Sequence, residues 1–376
     1  MTRVVQLANF VTPTSGGLRT ALQHLATGYT DAGHEVVQVL PGPRDAVEET
    51  PGGRRVLLRA PEVPGTGYRL LTDVDRVLRT LDALAPDRLE VHDRTTLRRA
   101  GRWAGRHGVP SLVVSHERLD RWLHQWLPSR LPLDAAADRT NASLAAAFDT
   151  VVCTTSWAAQ EFTRIGVPVR RVPLGVDLEV FRPQRDCRPW LAGDRELLLV
   201  SATRLSKEKR PDLVVAAAAE LHRRGHRVRL VVAGDGPMRR SLEKQARGLP
   251  VVFAGHVQGR ERMARLLGAA DVVLAPGPVE TFGLAALEAL ACGTPVVASR
   301  HSALRDVVGP AGRHCPSSGF CIADAVEDLM DVPEELRRAA ARSRAAEFPW
   351  TATVAGFLGV HRLHAPAATQ RRTVAA

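Results

Sequence analysis

The stretch "ETFGLAALEALACGTP", residues 280–295, sets two carboxylates, Glu280 and Glu288, eight positions apart with Gly283 between them. Ionised carboxylates accept hydrogen bonds from paired hydroxyls, so each is suited to a ribose or sugar diol. Gly283 opens an apolar helical run. There the backbone can come close to a ligand, and the first helical N–H groups can meet an anion. Upstream, "SATRLSKEKRPDL" follows another apolar run and holds Arg204 and Lys209, with Lys207 and Arg210 beside them. Cations placed there would neutralise the charge that develops on a departing diphosphate. A carboxylate for a ribose, cations for a diphosphate and a second carboxylate for a sugar together imply a nucleoside-diphosphate site.

Such residues act together only if strand ends hold them. Apolar runs predict strands at 4–10, 35–40, 88–92, 111–115 and 150–153, with a helix over 16–33 after the first of them. The proline-rich segment 168–183 breaks this rhythm and reads as a linker. A second series follows, with strands at 196–202, 228–234, 251–255 and 271–276 separated by helices at 211–225, 239–248 and 260–270. Alternation of this kind implies parallel sheets covered by helices on both faces. The expected fold is therefore α/β, with two Rossmann-like doubly wound domains facing across a cleft. The first is residues 1–178 on the acceptor side, and the second is residues 179–348 on the nucleotide-sugar side. Residues 349–376 are read as a helix returning to the first domain, followed by a flexible tail. In such sheets ligands sit beyond the carboxyl ends of the strands, where both glutamates and the cations fall.

Composition narrows the class. No apolar stretch is long enough to span a bilayer, and the short run near the N-terminus reads as a buried strand, not a leader. Five scattered cysteines make no CxxC pair, which points to free thiols in a reducing cytoplasm. The net charge of +11 raises nucleic acid as a partner, but basic and acidic residues are interspersed and no nucleic-acid motif is present. An anionic substrate or membrane surface accounts for the charge as well.

With "SGGLRTAL", "SHERLDR", "VPLGVD", "RLSKEK" and "VVAGDGP" added to the Glu-x7-Glu run, the sequence resembles the retaining GT-B glycosyltransferases of family 4. Within these it is most similar to actinobacterial phosphatidylinositol mannoside mannosyltransferases that use GDP-mannose. The resemblance implies that Gly16 and Gly17 cover the diphosphate and sugar, with Arg19 nearby. It places His116 near the reacting carbon of the donor sugar, and Arg204 with Lys209 on the diphosphate. It assigns Glu280 and the backbone of Phe282, Gly283 and Leu284 to the donor sugar, and Glu288 to the ribose. It further implies transfer of mannose with retention to a glycolipid hydroxyl, by a front-side route in which the leaving phosphate assists deprotonation of the acceptor. The resemblance implies a nucleotide-sugar as donor, and no metal or other cofactor is expected, because cations and the helix dipole already serve the diphosphate and no DxD stands at a strand end. Rival readings are another nucleotide-sugar with a soluble acceptor, a sugar-nucleotide epimerase on the same fold, and a nucleic-acid binder.

Other candidates have plainer readings. "DVD" at 73–75 sits inside a helical pattern and not at a strand end, so it reads as helix surface and not as a metal-binding pair. His222 and His226 have the i, i+4 spacing of a metal pair but lack a third ligand. Arg94, Arg98, Arg102 and Arg106 recur every four residues, which a helix would align on one face. Trp122 and Trp126 follow, among Arg118, Arg121 and Arg130. Tryptophans mixed with arginines suit an anionic lipid interface. The expected location is thus the cytoplasm, peripheral to the inner face of the membrane. The plain alternative is that the tryptophans fill the core.

Overall fold

A computed structural model describes residues 1–11, 16–63, 68–127, 130–193 and 196–364; the tail expected to be flexible, 365–376, lies outside the described residues. The first sheet has eight strands: β1 Arg3–Leu7, β2 Glu35–Gly42, β3 Ala46–Thr50, β4 Gly53–Arg59, β5 Arg88–Val91, β6 Ser111–Ser115, β7 Thr150–Cys153 and β8 Val169–Arg171. Their order is β3-β4-β2-β1-β5-β6-β7-β8, and all neighbours are parallel except the β3–β4 hairpin. The second sheet has six parallel strands: β9 Leu197–Ala202, β10 Val228–Ala233, β11 Val251–Gly255, β12 Val272–Ala275, β13 Val296–Ser299 and β14 Gly312–Cys315. Its order is β11-β10-β9-β12-β13-β14. Central strands such as β1, β6 and β9 are apolar along most of their length because helices bury both faces. The strand order reverses between β1 and β5 in one sheet and between β9 and β12 in the other. Crevices open at such points.

The chain crosses back at its end. Val176 pairs with Pro349, and the helix Trp350–Val360 packs on the helix Gly17–Asp31. Trp350 stacks on His24 with ring centroids 4.4 Å apart. Gly28 permits this approach, since a Cβ there would lie 2.4 Å from the Val354 side chain.

Several expectations change. The β3–β4 hairpin and the three-residue β8 were not read from the sequence. β1 stops at Leu7, three residues short of the expected end, and Phe10 turns the chain through a left-handed conformation (φ 59°). The DVD segment caps and opens the helix Val74–Leu84, where the Asp73 side chain accepts from the Arg76 amide at 3.0 Å. His226 reaches Glu327 at 2.7 Å, and among the described residues no cluster could hold a metal ion. The expected arginine face is overturned at its first member. The helix begins only at Arg98, and Arg94 is buried, donating to Glu161 at 2.8 Å and Ser115 at 3.0 Å. Arg118 is likewise buried, paired with Asp120 at 2.6 Å and 4.5 Å from the Trp157 ring centre. Arg121 and Arg130 stay exposed, and Trp122 is half exposed; the side chain of Trp126 lies outside the described residues.

Candidate active site

Strand β9 ends at Ala202 and turns through Thr203 and Arg204, while β12 ends at Ala275 and leads through Gly277 to Glu280. The helix Leu284–Ala291 starts from Gly283, which has φ +81°. A side chain there would be strained, and its Cβ would lie 2.3 Å from Leu304. Gly234, after β10, is just as constrained: a Cβ would sit 1.9 Å from the Thr203 carbonyl. Glycine therefore lets the loops after β9 and β10 press together and fixes the backbone that carries Arg204.

These loops wall a cavity of about 670 Å³, large enough for a drug-sized ligand. From the second domain it is lined by Arg204, Lys209, Glu280, Gly283, Leu284 and Glu288, and from the first by Gly16, Gly17, Thr20 and Tyr68. Lys209 Nζ donates to Glu280 Oε2 at 2.5 Å, so one cation and one carboxylate of the predicted site hold each other. Arg204 donates to the Tyr68 hydroxyl at 3.2 Å across the cleft and to Glu208 at 3.1 Å. The start of the helix Leu284–Ala291 has no side-chain cap, which leaves its first N–H groups for an anion.

Glu288 differs from every other charged group in the cleft. Its carboxyl has no hydrogen-bond or ion-pair partner among the described residues. Burial pushes it up to about 7, against the smaller pull of Arg260. A half-buried acceptor without a donor is poised for a ligand that brings hydroxyls.

The other expected residues stand just outside this wall. Phe282 is buried and meets Phe348 edge-on at 6.3 Å, so only its backbone borders the loop. The His116 carbonyl accepts from the Thr281 hydroxyl, and the Thr155 hydroxyl donates to the Thr281 carbonyl at 3.0 Å. Both bonds tie the first domain to the residue beside Glu280. The His116 ring, neutral because burial and then His92 push it down to about 3, lies 2.8 Å from His92. Arg19 is not on the wall. It is exposed and lines a neighbouring cavity of about 710 Å³ on the other side of the first helix, with Leu22, Leu57 and Arg55.

Tyr68, Glu208 and Thr281 were not singled out from the sequence. Tyr68 lies in an irregular segment far from the motifs, and nothing local signals its contact with Arg204. Glu208 stood inside "RLSKEKR" and was legible as the acid among the cations.

Two doubly wound domains closing on a cleft of strand-end cations and carboxylates define a GT-B glycosyltransferase. The chain matches the models for "Glycosyl transferase 4-like domain" over residues 16–176 and "Glycosyl transferases group 1" over residues 185–345. It is 48% identical over 362 residues to the GDP-mannose-dependent alpha-(1-6)-phosphatidylinositol dimannoside mannosyltransferase of Mycobacterium tuberculosis, with 95% of each chain covered. The protein thus belongs to the retaining glycosyltransferases of family 4. Among solved structures, sucrose-phosphate synthase from Thermosynechococcus elongatus superposes with a TM-score of 0.82 at 22% identity, covering 96% of this chain and 98% of that one. An alpha,alpha-trehalose-phosphate synthase from Burkholderia vietnamiensis gives 0.73 at 16% identity over 98% of each chain. These likenesses establish the fold. No helix among the described residues is long and apolar enough to cross a membrane.

Proposed function

We propose that the protein transfers mannose from GDP-mannose, with retention, to a hydroxyl of a phosphatidylinositol mannoside-type glycolipid. The carrying observation is the convergence of the unpartnered Glu288 with the Lys209–Glu280 pair in one cleft shared by both domains. The choice of mannose, guanosine and phosphoinositide rests on the 48% identical relative. In this reading Glu288 accepts from the ribose diol, and Glu280 accepts from hydroxyls of the sugar. Arg204, Lys209 and the first N–H groups of the helix Leu284–Ala291 receive the diphosphate. The bond from the anomeric carbon to the β-phosphate oxygen breaks, and the acceptor oxygen bonds to that carbon on the same face. The acceptor proton passes to the leaving phosphate.

Purified protein incubated with GDP-mannose and phosphatidylinositol dimannoside should yield a lipid heavier by one hexose, as read by mass spectrometry. Transfer from a UDP-sugar but not from GDP-mannose, or to soluble acceptors only, would overturn the assignment. Cations and helix N–H groups already stand at the diphosphate position. Activity is therefore expected to persist in excess EDTA, and abolition by EDTA with rescue by manganese would count against this reading.

Membrane docking belongs to the same proposal. The helix Leu119–Trp126 leaves Trp122 50% exposed and is followed by Leu127 at 41% and Leu131 at 45%, with Arg121 and Arg130 exposed nearby. An exposed indole and leucines among arginines suit insertion between anionic headgroups. In flotation assays binding should need anionic vesicles, weaken with salt and fall several-fold in Trp122→Ala with the circular dichroism spectrum unchanged. Binding that ignores this substitution would place the membrane face elsewhere.

A further inference from the structure

Glu90 lies near the end of β5 in full burial, inside the first domain, and takes no part in the donor cleft. Its two oxygens accept four hydrogen bonds. Oε1 receives Gln6 Nε2 at 2.7 Å and His92 Nε2 at 2.7 Å; Oε2 receives the Tyr29 hydroxyl at 2.7 Å and His361 Nε2 at 2.9 Å. Burial works against its charge, but the bonds from His361 and His92 outweigh that cost and hold the carboxyl well below the usual range. An ionised carboxylate only accepts. His92 therefore carries a proton on Nε2.

That requirement propagates. His92 Nδ1 lies 2.8 Å from His116 Nε2, and one of the two nitrogens must donate. When His92 carries only that one proton, its Nδ1 is bare and His116 Nε2–H donates to it. The remaining nitrogen of His116, Nδ1, is then an unprotonated acceptor, and it has no hydrogen-bond partner among the described residues. His116 itself follows β6 and is joined through its carbonyl to Thr281, the neighbour of Glu280.

We propose that Glu90 and His92 are positioning residues that fix the tautomer of His116, so that Nδ1 presents a lone pair to a hydroxyl of the bound nucleotide-sugar. This rests on the glycosyltransfer reading for the identity of the hydroxyl, but not for the tautomer. Around these three residues stand Tyr29 and His361 on the Glu90 side. On the His116 side stands Glu117, the next residue, whose carboxyl feels Arg94, Asp93, Lys209 and Arg204 in turn.

The test reads the imidazole nitrogens directly. In the full-length protein labelled with ¹⁵N-histidine, the His116 signals are assigned by their loss in His116→Gln. At neutral pH they should show a protonated Nε2 and an unprotonated Nδ1, without any substrate; a protonated Nδ1 would overturn the proposal. His92→Phe keeps a ring but removes both bonds, so the His116 signals should average between tautomers. With GDP-mannose and the lipid acceptor, His92→Phe and Glu90→Gln should lower kcat at least tenfold with a smaller change in donor KM. A purely structural role would reduce the folded fraction and leave the His116 nitrogen signals of His92→Phe as they are in the wild type, and that result would refute the positioning role. Failure of wild-type transfer from GDP-mannose would overturn the donor assignment, while the nitrogen signals would still decide the tautomer.

Discussion

Lys209→Ala is expected to cut turnover by roughly 10²–10³, the loss typical when one preorganised donor to a developing negative charge is removed, about 3–4 kcal/mol. The ammonium stands 2.5 Å from Glu280 at the mouth of the loop proposed to receive the phosphates. Its removal has two consequences. The leaving diphosphate loses a cation, and Glu280 becomes a half-buried carboxylate without its partner, which repels the same phosphates. Affinity for GDP should therefore fall far more than affinity for guanosine, which carries no phosphate. Arg204→Ala should follow the same pattern with a smaller loss, because that guanidinium is about half exposed and also bound to Tyr68 and Glu208. Calorimetry with the two ligands checks the assignment, and equal weakening of GDP and guanosine would remove the phosphate role. Lys209→Arg should recover only part of the rate, since a planar fork does not replace a compact charge at this distance.

The parts of this site legible in the sequence are those where chemistry and local structure coincide along the chain. Gly283 is needed for its φ and for its closeness to Leu304, and it lies between the two glutamates it helps to place, so one short motif carries fold and function together. Strands β9 to β12 of the second sheet were legible for a related reason, since largely apolar runs stand between helices there, whereas β14, "GRHC", was missed because Arg313 and His314 interrupt it. β4, "GRRVLLR", was missed too, because it borders the antiparallel edge strand and its arginines break the apolar pattern. The arginine periodicity misled because spacing says nothing about where a helix begins. Arg94 lies four residues before the first turn and is held by Glu161, a partner far along the chain. Glu90 posed the opposite difficulty. A lone acid in "RLEV" reads as a strand irregularity until Gln6, Tyr29 and His361 converge on it from three other elements, and no local pattern encodes that convergence.

Glu288→Gln should produce a pH-dependent loss of nucleotide affinity together with a gain in stability, and the two have one cause. The free carboxyl titrates at about 7 because burial opposes its charge and no described partner compensates. A ribose diol donates two hydrogen bonds to the ionised form, each of which contributes about 1.5–3 kcal/mol to a charged acceptor. Binding thus requires loss of a proton below pH 7. Wild-type affinity should be greatest above that pH and weaken by up to about tenfold for each unit below it. The phosphates of GDP titrate too, so the informative quantity is the ratio of wild-type to variant affinity. That ratio should be ten or more at pH 8 and shrink toward pH 5.5. Stability runs the other way. The folded value exceeds the ordinary 4.5 of an unfolded glutamate, so the folded state binds the proton more tightly. Its contribution is present in full below pH 4.5 and lost as pH rises through 7, at a cost of at most about 3 kcal/mol at pH 8. The amide of Glu288→Gln escapes that cost, so the variant should melt higher than wild type at pH 8 and at nearly the same temperature at pH 5. A variant that binds GDP as well as wild type at both pH values, or that melts lower at pH 8, would show that Glu288 neither holds the ribose nor stands uncompensated in the cleft.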